Sequence, residues 1–205
     1  AAAAGVVTAT LAADSTANLL NLTTASTDVI TLEVDDTPSI ANLNTIAGKT
    51  AGAVTATLAA DSTSNLLGLT TSSADAITLE INDTPSIANL NTIAGKTAGV
   101  VTATLAADSL SNLGALNTAS TDQITVSVND GSGAAIDATD LSALGAKTAG
   151  TVTVSNDIAI SGNTSQVKAA LVDAGTKVVA TSATVSISDN PSITNLNLIA
   201  AEAGV

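Results

Sequence analysis

The chain of 205 residues carries 15 Asp, 3 Glu, 5 Lys and no Arg, a formal net charge of -13, and it contains no His, Cys, Met, Phe, Tyr or Trp. Without imidazole or thiol it has none of the side chains of ordinary zinc, haem or iron-sulfur sites, no disulfide, and no base poised near neutral pH; without Arg or aromatics, and strongly anionic, it lacks the phosphate clamps and stacking platforms of nucleic-acid binders. Leu, Ile and Val make up about a quarter of the residues, enough for a core. Every apolar stretch is broken well short of the roughly 20 residues of a membrane span, so a soluble chain with no membrane span is expected. The lack of an initiator Met and of a signal peptide is read as that of an excerpt or a processed product.

Repeats organise the rest. Residues 4–50 read AGVVTATLAADSTANLLNLTTASTDVITLEVDDTPSIANLNTIAGKT, and residues 51–97 match that string at 39 of 47 positions. A third copy, 98–148, takes a four-residue insertion around GSGAAID, and a fourth, 149–205, is diverged and longer.

Along each copy a strand pattern comes first, with Val7, Ala9 and Leu11 alternating with Thr8 and Thr10. Asn18-Leu19 follows, then a second strand in which Ile30, Leu32 and Val34 alternate with Thr31 and Glu33. Asp36-Thr37-Pro38 then offers an Asp or Thr N-cap with Pro at the first helical position. Ile40, Leu43 and Ile46 form a helical stripe, and Gly48 stops it. Asn18-Leu19 and Asn42-Leu43 stand in parallel contexts, which halves the period, so that each copy holds two half-repeats of about 23 to 24 residues. In the last copy SQVKAALVDAG, 165–175, reads as helix on propensity as well as pattern.

Strands joined by crossover helices pair in parallel. The expected fold is an α/β solenoid, a parallel β-sheet with one short helix per half-repeat, continuous over 1–205; an all-β parallel solenoid is the alternative. Eight to nine half-repeats at about 4.8 Å per strand give a segment on the order of 40 Å long.

The polar positions recur with the repeat. Asn18, Asn42, Asn65, Asn89, Asn112 and Asn195 are expected to form a buried amide ladder from one half-repeat to the next, with Asp140 and Gln166 substituting in the diverged copies. Asp35, Asp36, Asp83 and Asp130 cluster where strands hand over to helices, where carboxylates supply either helix caps, the main expectation, or the hard-oxygen ligands of calcium, the one candidate cofactor. Outward Thr8, Thr10, Thr55, Thr57, Thr102 and Thr104 form ranks on the sheet, a hydroxyl face of the kind that binds ice, interrupted by Glu33 and Glu80. AGKT at 47–50 and 94–97 is no phosphate loop, since Leu43 and Leu90 stand where a Walker motif needs Gly; Lys49, Lys96 and Lys147 instead sit at the negative end of a helix, within reach of Asp in neighbouring half-repeats. Asp35-Asp36 makes no acid pair, because adjacent strand residues face opposite ways. No enzymatic activity is expected.

The strings AGVVTATLAADS, VITLEV and TPSIANLNTIAGKT in near-identical tandem resemble the repeat regions of very large secreted bacterial surface proteins, notably cyanobacterial ones. The resemblance covers residues 4 to 148 most closely and implies an extracellular or cell-surface, structural or adhesive role with no catalytic residues. The expected function is a scaffold that builds a filament or surface layer by end-to-end stacking, with itself as partner. An adhesin stalk binding calcium, glycan or a neighbouring cell is the alternative.

Overall fold

In the computed structural model, which describes residues 5–173 and 175–203, the chain is α/β with parallel strands and short helices. It divides into two compact units, residues 1–83 with 89–102, and residues 84–88 with 103–205.

The first unit runs β1 (Thr8–Thr10), α1 (Thr16–Leu19), β2 (Val29–Glu33), α2 (Ile40–Ala47), β3 (Val54–Thr57), α3 (Thr63–Leu66) and β4 (Ala76–Glu80). Helix α4 (Ile87–Ala94) and strand β5 (Val101–Thr104) follow. Consecutive strands pair in parallel, β1 to β2 to β3 to β4 to β5. The alternation read from sequence holds: Ile30, Leu32, Ile77 and Leu79 are buried while Thr31, Glu33, Thr78 and Glu80 face out. From the helices come Leu19, Leu43, Ile46, Leu66 and Leu90, all buried, each contributing on the order of 1.5–3 kcal/mol. Helices alternate in length, four residues in α1 and α3 and eight in α2 and α4.

In the second unit α5 (Leu110–Leu113) is again short, followed by β6 (Gln123–Val128), β7 (Ala135–Asp137) and α6 (Ala138–Gly145). Then come β8 (Val152–Val154), β9 (Ala159–Gly162), α7 (Thr164–Leu171), β10 (Val178–Val179), β11 (Thr184–Ile187) and α8 (Ile193–Glu202). The inserted GSGAAID supplies β7 and turns at Gly133, whose φ of 78° favours glycine and whose N–H donates to Asp157 O at 2.6 Å. From there each half-repeat has two strands, and β7, β9 and β11 form a second parallel sheet beside the pairing of β6, β8 and β10. Helix α7 covers most of the stretch expected from SQVKAALVDAG and opens on a capping box, Asn163 with Gln166. Helices α2, α4 and α6, of eight residues each, set the all-β alternative aside.

Two expectations change. Pro38 is not the first helical residue: Ser39 is the N-cap of α2 and Pro38 stands just outside it. Nor do strands stack at one register per repeat. Thr8 pairs with Val29, and the register of Leu32 on Val54 carries that column on to Ala51. The counterpart of Thr8 in the next copy is Thr55, further along the strand. In the same way the column of Thr55 runs through Ala76 to Ala98, short of its counterpart Thr102. Each copy therefore slides along its predecessor by about four residues, or about 13 Å of strand.

Where α2 hands over to β3 the backbones nearly touch. A Cβ on Gly52 would overlap the Ile30 backbone, and Gly99 meets Ile77 and Gly150 meets Ile124 in the same way. Gly52→Ala should lower unfolding free energy by about 3 kcal/mol, since backbone cannot swing aside as a side chain does. Gly48→Ala, earlier in the same turn at φ -67° with ordinary room for a Cβ, should be neutral or stabilising by up to about 1 kcal/mol. Urea titration followed by far-ultraviolet circular dichroism, needed because the chain has no Trp or Tyr, measures both.

Candidate functional site: the polar seam between half-repeats

The buried polar side chains are spent on the joints between half-repeats, and the most connected of them is a threonine. Thr50 Oγ1 accepts from Ile30 N at 2.9 Å and Gly52 N at 2.8 Å, and lies 3.0 Å from Asp28 O and 2.7 Å from Ile30 O. With one hydrogen and two lone pairs, a hydroxyl facing two amides and two carbonyls is fully used. Thr97 repeats this on Ile77, Gly99 and Asp75, and Thr148 on Ile124, Gly150 and Asp122. All three are buried. Sequence reading missed them, although Thr-Ala-Gly recurs at 50–52, 97–99 and 148–150, the same glycine always two residues on.

Around the hydroxyl stand a lysine and an aspartate. Lys49 Nζ donates to Leu22 O at 2.7 Å, Lys96 Nζ to Leu69 O at 2.5 Å, and Lys147 Nζ to Gly114 O and Leu116 O at 2.6 and 2.7 Å. The ammonium groups thus reach carbonyls that follow the short helix of the preceding half-repeat, where the sequence had left carboxylates as partners too. Asp28, buried, accepts from Val7 N and Ala25 N, both at 2.9 Å, and Asp75 accepts from Val54 N at 2.9 Å and Ser72 N at 2.8 Å. The two backbone amides hold the Asp28 carboxyl below its ordinary value of 3.8, Val7 foremost.

The acidic residues singled out as calcium candidates occupy a second line of the seam. Asp36 accepts from the backbone and hydroxyl of Thr16, Asp83 from those of Thr63, and Asp130 from Leu110 N at 2.7 Å, each reaching back to the first position of a short helix. Asp189 does the same for Thr164. Asp35 joins through its backbone, donating to Asp14 O at 3.0 Å. The carboxylates of Asp36, Asp83, Asp130 and Asp189 thus cap helix starts from the next half-repeat, in addition to the cap that each helix's own flank supplies. Among the described residues no three acidic side chains converge in a way that could hold a metal ion.

The recurrent asparagines are not a buried ladder. Asn18, Asn65 and Asn112 are exposed, and Asn42, Asn89 and Asn195 half-buried. Each occupies the third position of its helix, and Asn18, Asn42, Asn65, Asn112 and Asn195 donate their backbone N–H to an N-cap serine, Ser15, Ser39, Ser62, Ser109 or Ser192. In the short helices the amide group turns back to the residue before the cap, as Asn18 Nδ2 to Asp14 at 2.8 Å. Ser-x-x-Asn is thus a local capping motif, and Asp140 and Gln166 fill the same third position. Among the described residues, amides that do cross include Asn44, which donates to Gly68 O and accepts from Thr70 N, both at 2.8 Å, and Asn156, which donates to Asp130 O at 2.7 Å.

The outward threonines Thr8, Thr10, Thr55, Thr57 and Thr104 are exposed and Thr102 half-exposed, but the slide between copies breaks their ranks. Thr10 pairs with Thr31 and Thr57 with Thr78, whereas Thr55 lies between Glu33 and Ala76, and Thr102 beside Glu80. Hydroxyl rows run two strands deep in place of a continuous lattice.

These bonds make stability respond to single substitutions and to acid. Thr97→Val keeps shape but strands two buried amides, so it should cost about 3 kcal/mol, while Thr97→Ser should stay within about 1 kcal/mol of the parent, both read by urea titration. The response to acid comes from the carboxylates. Hydrogen bonds lower the carboxyl pKa of Asp14 (Asn18 side chain first), Asp28 (Val7 backbone), Asp83 and Asp189 (Thr63 and Thr164 hydroxyls) below 3.8 in the folded chain. A folded pKa below the unfolded one means stability that is full above about pH 4 and lost as pH falls through the folded values. Relief of repulsion among dispersed charges acts the other way, but salt screens it beyond about 8 Å. The urea midpoint should therefore fall between about pH 4 and pH 2, and Asp83→Asn should lower the neutral-pH midpoint and flatten the decline.

No protein-family model, no curated protein and no solved structure matches the chain.

Proposed function

We propose that the chain is a non-catalytic structural repeat protein, a solenoid segment whose half-repeats stack end to end in an extracellular filament or cell-surface layer. The observation that carries this reading is the threonine seam, made with the same partners by Thr50, Thr97 and Thr148. A contact that recurs unchanged along a chain joins like to like, and its energy grows with the number of units rather than with any one site. Of the five lysine ammonium groups those of Lys49, Lys96 and Lys147 bind carbonyls in that seam, the carboxylates of Asp28 and Asp75 bind backbone amides, and the buried hydroxyls of Thr50, Thr97 and Thr148 are fully used. The extracellular setting is supported by the resemblance of the tandem strings to bacterial surface repeats.

The test varies repeat number. Chains carrying one, two or three extra copies of residues 51–97 should show urea and thermal midpoints that rise with copy number and then level off, as nearest-neighbour coupling requires. Their fibres should be visible by negative-stain electron microscopy. Midpoints independent of copy number would overturn the array, because the added units would then be independent domains.

A further inference from the structure

The inserted stretch of the third copy opens on Asn129-Asp130-Gly131-Ser132-Gly133, and Asp130 is the only Asp or Asn in the chain that glycine follows. In the earlier copies its place is held by Asp36-Thr37 and Asp83-Thr84. An aspartate side chain can be attacked by the next backbone nitrogen. Here Gly131 N bonds to Asp130 Cγ, the bond from Cγ to one carboxyl oxygen breaks, and that oxygen leaves as water with the acid proton and the amide hydrogen. The product is a five-membered succinimide. Water added at the former backbone carbonyl of Asp130 breaks its bond to Gly131 N and leaves isoaspartate, in which the main chain runs through Cβ and Cγ. A Cβ on the following residue hinders the rotation that brings nitrogen over Cγ, and glycine has none.

The loop leaves this reaction room. Gly131 is exposed, a Cβ added to it would meet nothing within 4 Å, and its N–H finds no acceptor among the described residues. The aspartates followed by serine, Asp14, Asp61 and Asp108, are closed off. Each serine N–H donates to the very carboxylate it would have to attack, at 2.7, 2.7 and 2.8 Å. Such a bond lies near the plane of the carboxylate, whereas attack comes onto its face, and Ser15, Ser62 and Ser109 are also held extended as helix N-caps. The Asp130 carboxylate reaches instead to Leu110 N at 2.7 Å, and its backbone carbonyl accepts from Asn156 Nδ2 at 2.7 Å. Those two bonds restrain Asp130, one to the preceding half-repeat and one to the following, while the attacking nitrogen stays free.

We propose that Asp130-Gly131 is a site of spontaneous covalent modification, where aspartate converts to isoaspartate ahead of any other Asp or Asn and releases the joint that Asp130 makes with its neighbours. The conversion adds a backbone atom ahead of β7 and leaves the carboxylate directly on Cα, one carbon short of its reach to Leu110 N. It goes beyond the array reading and does not depend on it.

Ageing of the whole chain at mildly acidic pH, where the departing oxygen leaves from the protonated acid, tests this, with a sample unfolded in urea alongside. Peptides are read by electron-transfer fragmentation, which separates isoaspartate from aspartate. Isoaspartate should appear first at position 130 in both samples. Gly131→Ala, for which the fold has space without a positive φ, should slow it by about tenfold, since one Cβ narrows the backbone rotation. The converted fraction of the parent should unfold at lower urea than the fresh chain, and Gly131→Ala aged for the same time should keep its starting midpoint. Four results overturn the proposal: a folded chain that stays unconverted while the unfolded one converts, equal conversion in Gly131→Ala, earlier isoaspartate at Asp14, Asp61 or Asp108, or a converted chain whose urea midpoint has not moved.

Discussion

The structure depends on a backbone crossing so tight that only glycine passes, held by one buried hydroxyl. At Gly52, Gly99 and Gly150 a strand enters against the backbone of Ile30, Ile77 or Ile124, and two residues earlier Thr50, Thr97 or Thr148 satisfies the amides and carbonyls that the crossing would leave without water. The two features need each other. Backbones this close leave polar groups that cost about 1–3 kcal/mol each if unpaired, and a small branched side chain with both donor and acceptor character is what fits between them. Around this crossing Lys49 reaches Leu22 O and Asp28 reaches Val7 N, so the seam extends from the sheet to the helix ends without a break.

A chain with 18 acids and 5 bases would be expected to suffer from its own charge. What it does with its carboxylates explains why it folds. Asp28, Asp36, Asp75, Asp83, Asp130 and Asp189 point at backbone N–H groups, in several cases at those of helix starts, where partial positive charge is concentrated. The amides supply the compensation that basic side chains supply in more balanced proteins. Because the acceptor belongs to one half-repeat and the donor to its neighbour, every such bond also fixes their register.

Much of the fold was legible because it is local or periodic. The period shared by the first two copies, the alternation around Ile30 and Leu32, and the stripe through Leu43 and Ile46 follow from sequence, and burial bears the last two out. The cap of α2 was misplaced on Asp36 or Thr37 because Pro38 has a strong preference for the first helical position; Ser39 was free to cap, with Asn42 three residues on, and Asp36 was needed elsewhere. The asparagines drew attention for their recurrence, yet recurrence alone does not separate a bond within each helix from one between units. Asn18 and Asn44 recur equally well, and only Asn44 crosses. The slide between copies was not legible at all, since a period counts residues along the chain and register counts them across it.

That slide has a consequence for how the repeat tolerates change. On the strand side the partners are near in sequence, Thr8 with Val29 and Leu32 with Val54, whereas the helix-side bonds of Asn44 to Gly68 and Thr70, and of Lys49 to Leu22, enclose more chain. The half-repeats of the first unit are thus stacked obliquely, short on one side and long on the other, and the difference is absorbed in the turns between. An insertion on the sheet side has to be matched by the next half-repeat or the obliquity is lost. This is what happens after GSGAAID: Val126 pairs with Val152 and Val152 in turn with Val178, two equal steps, each longer than any in the first unit, so the added strand of one half-repeat is answered in each that follows. Near-identity between the first two copies and the joint change in the later ones have the same cause. Each half-repeat both donates hydrogen bonds to and accepts them from its neighbours, as Lys49 to Leu22 O and Asp28 from Val7 N, so its length and its polar positions are tied to theirs.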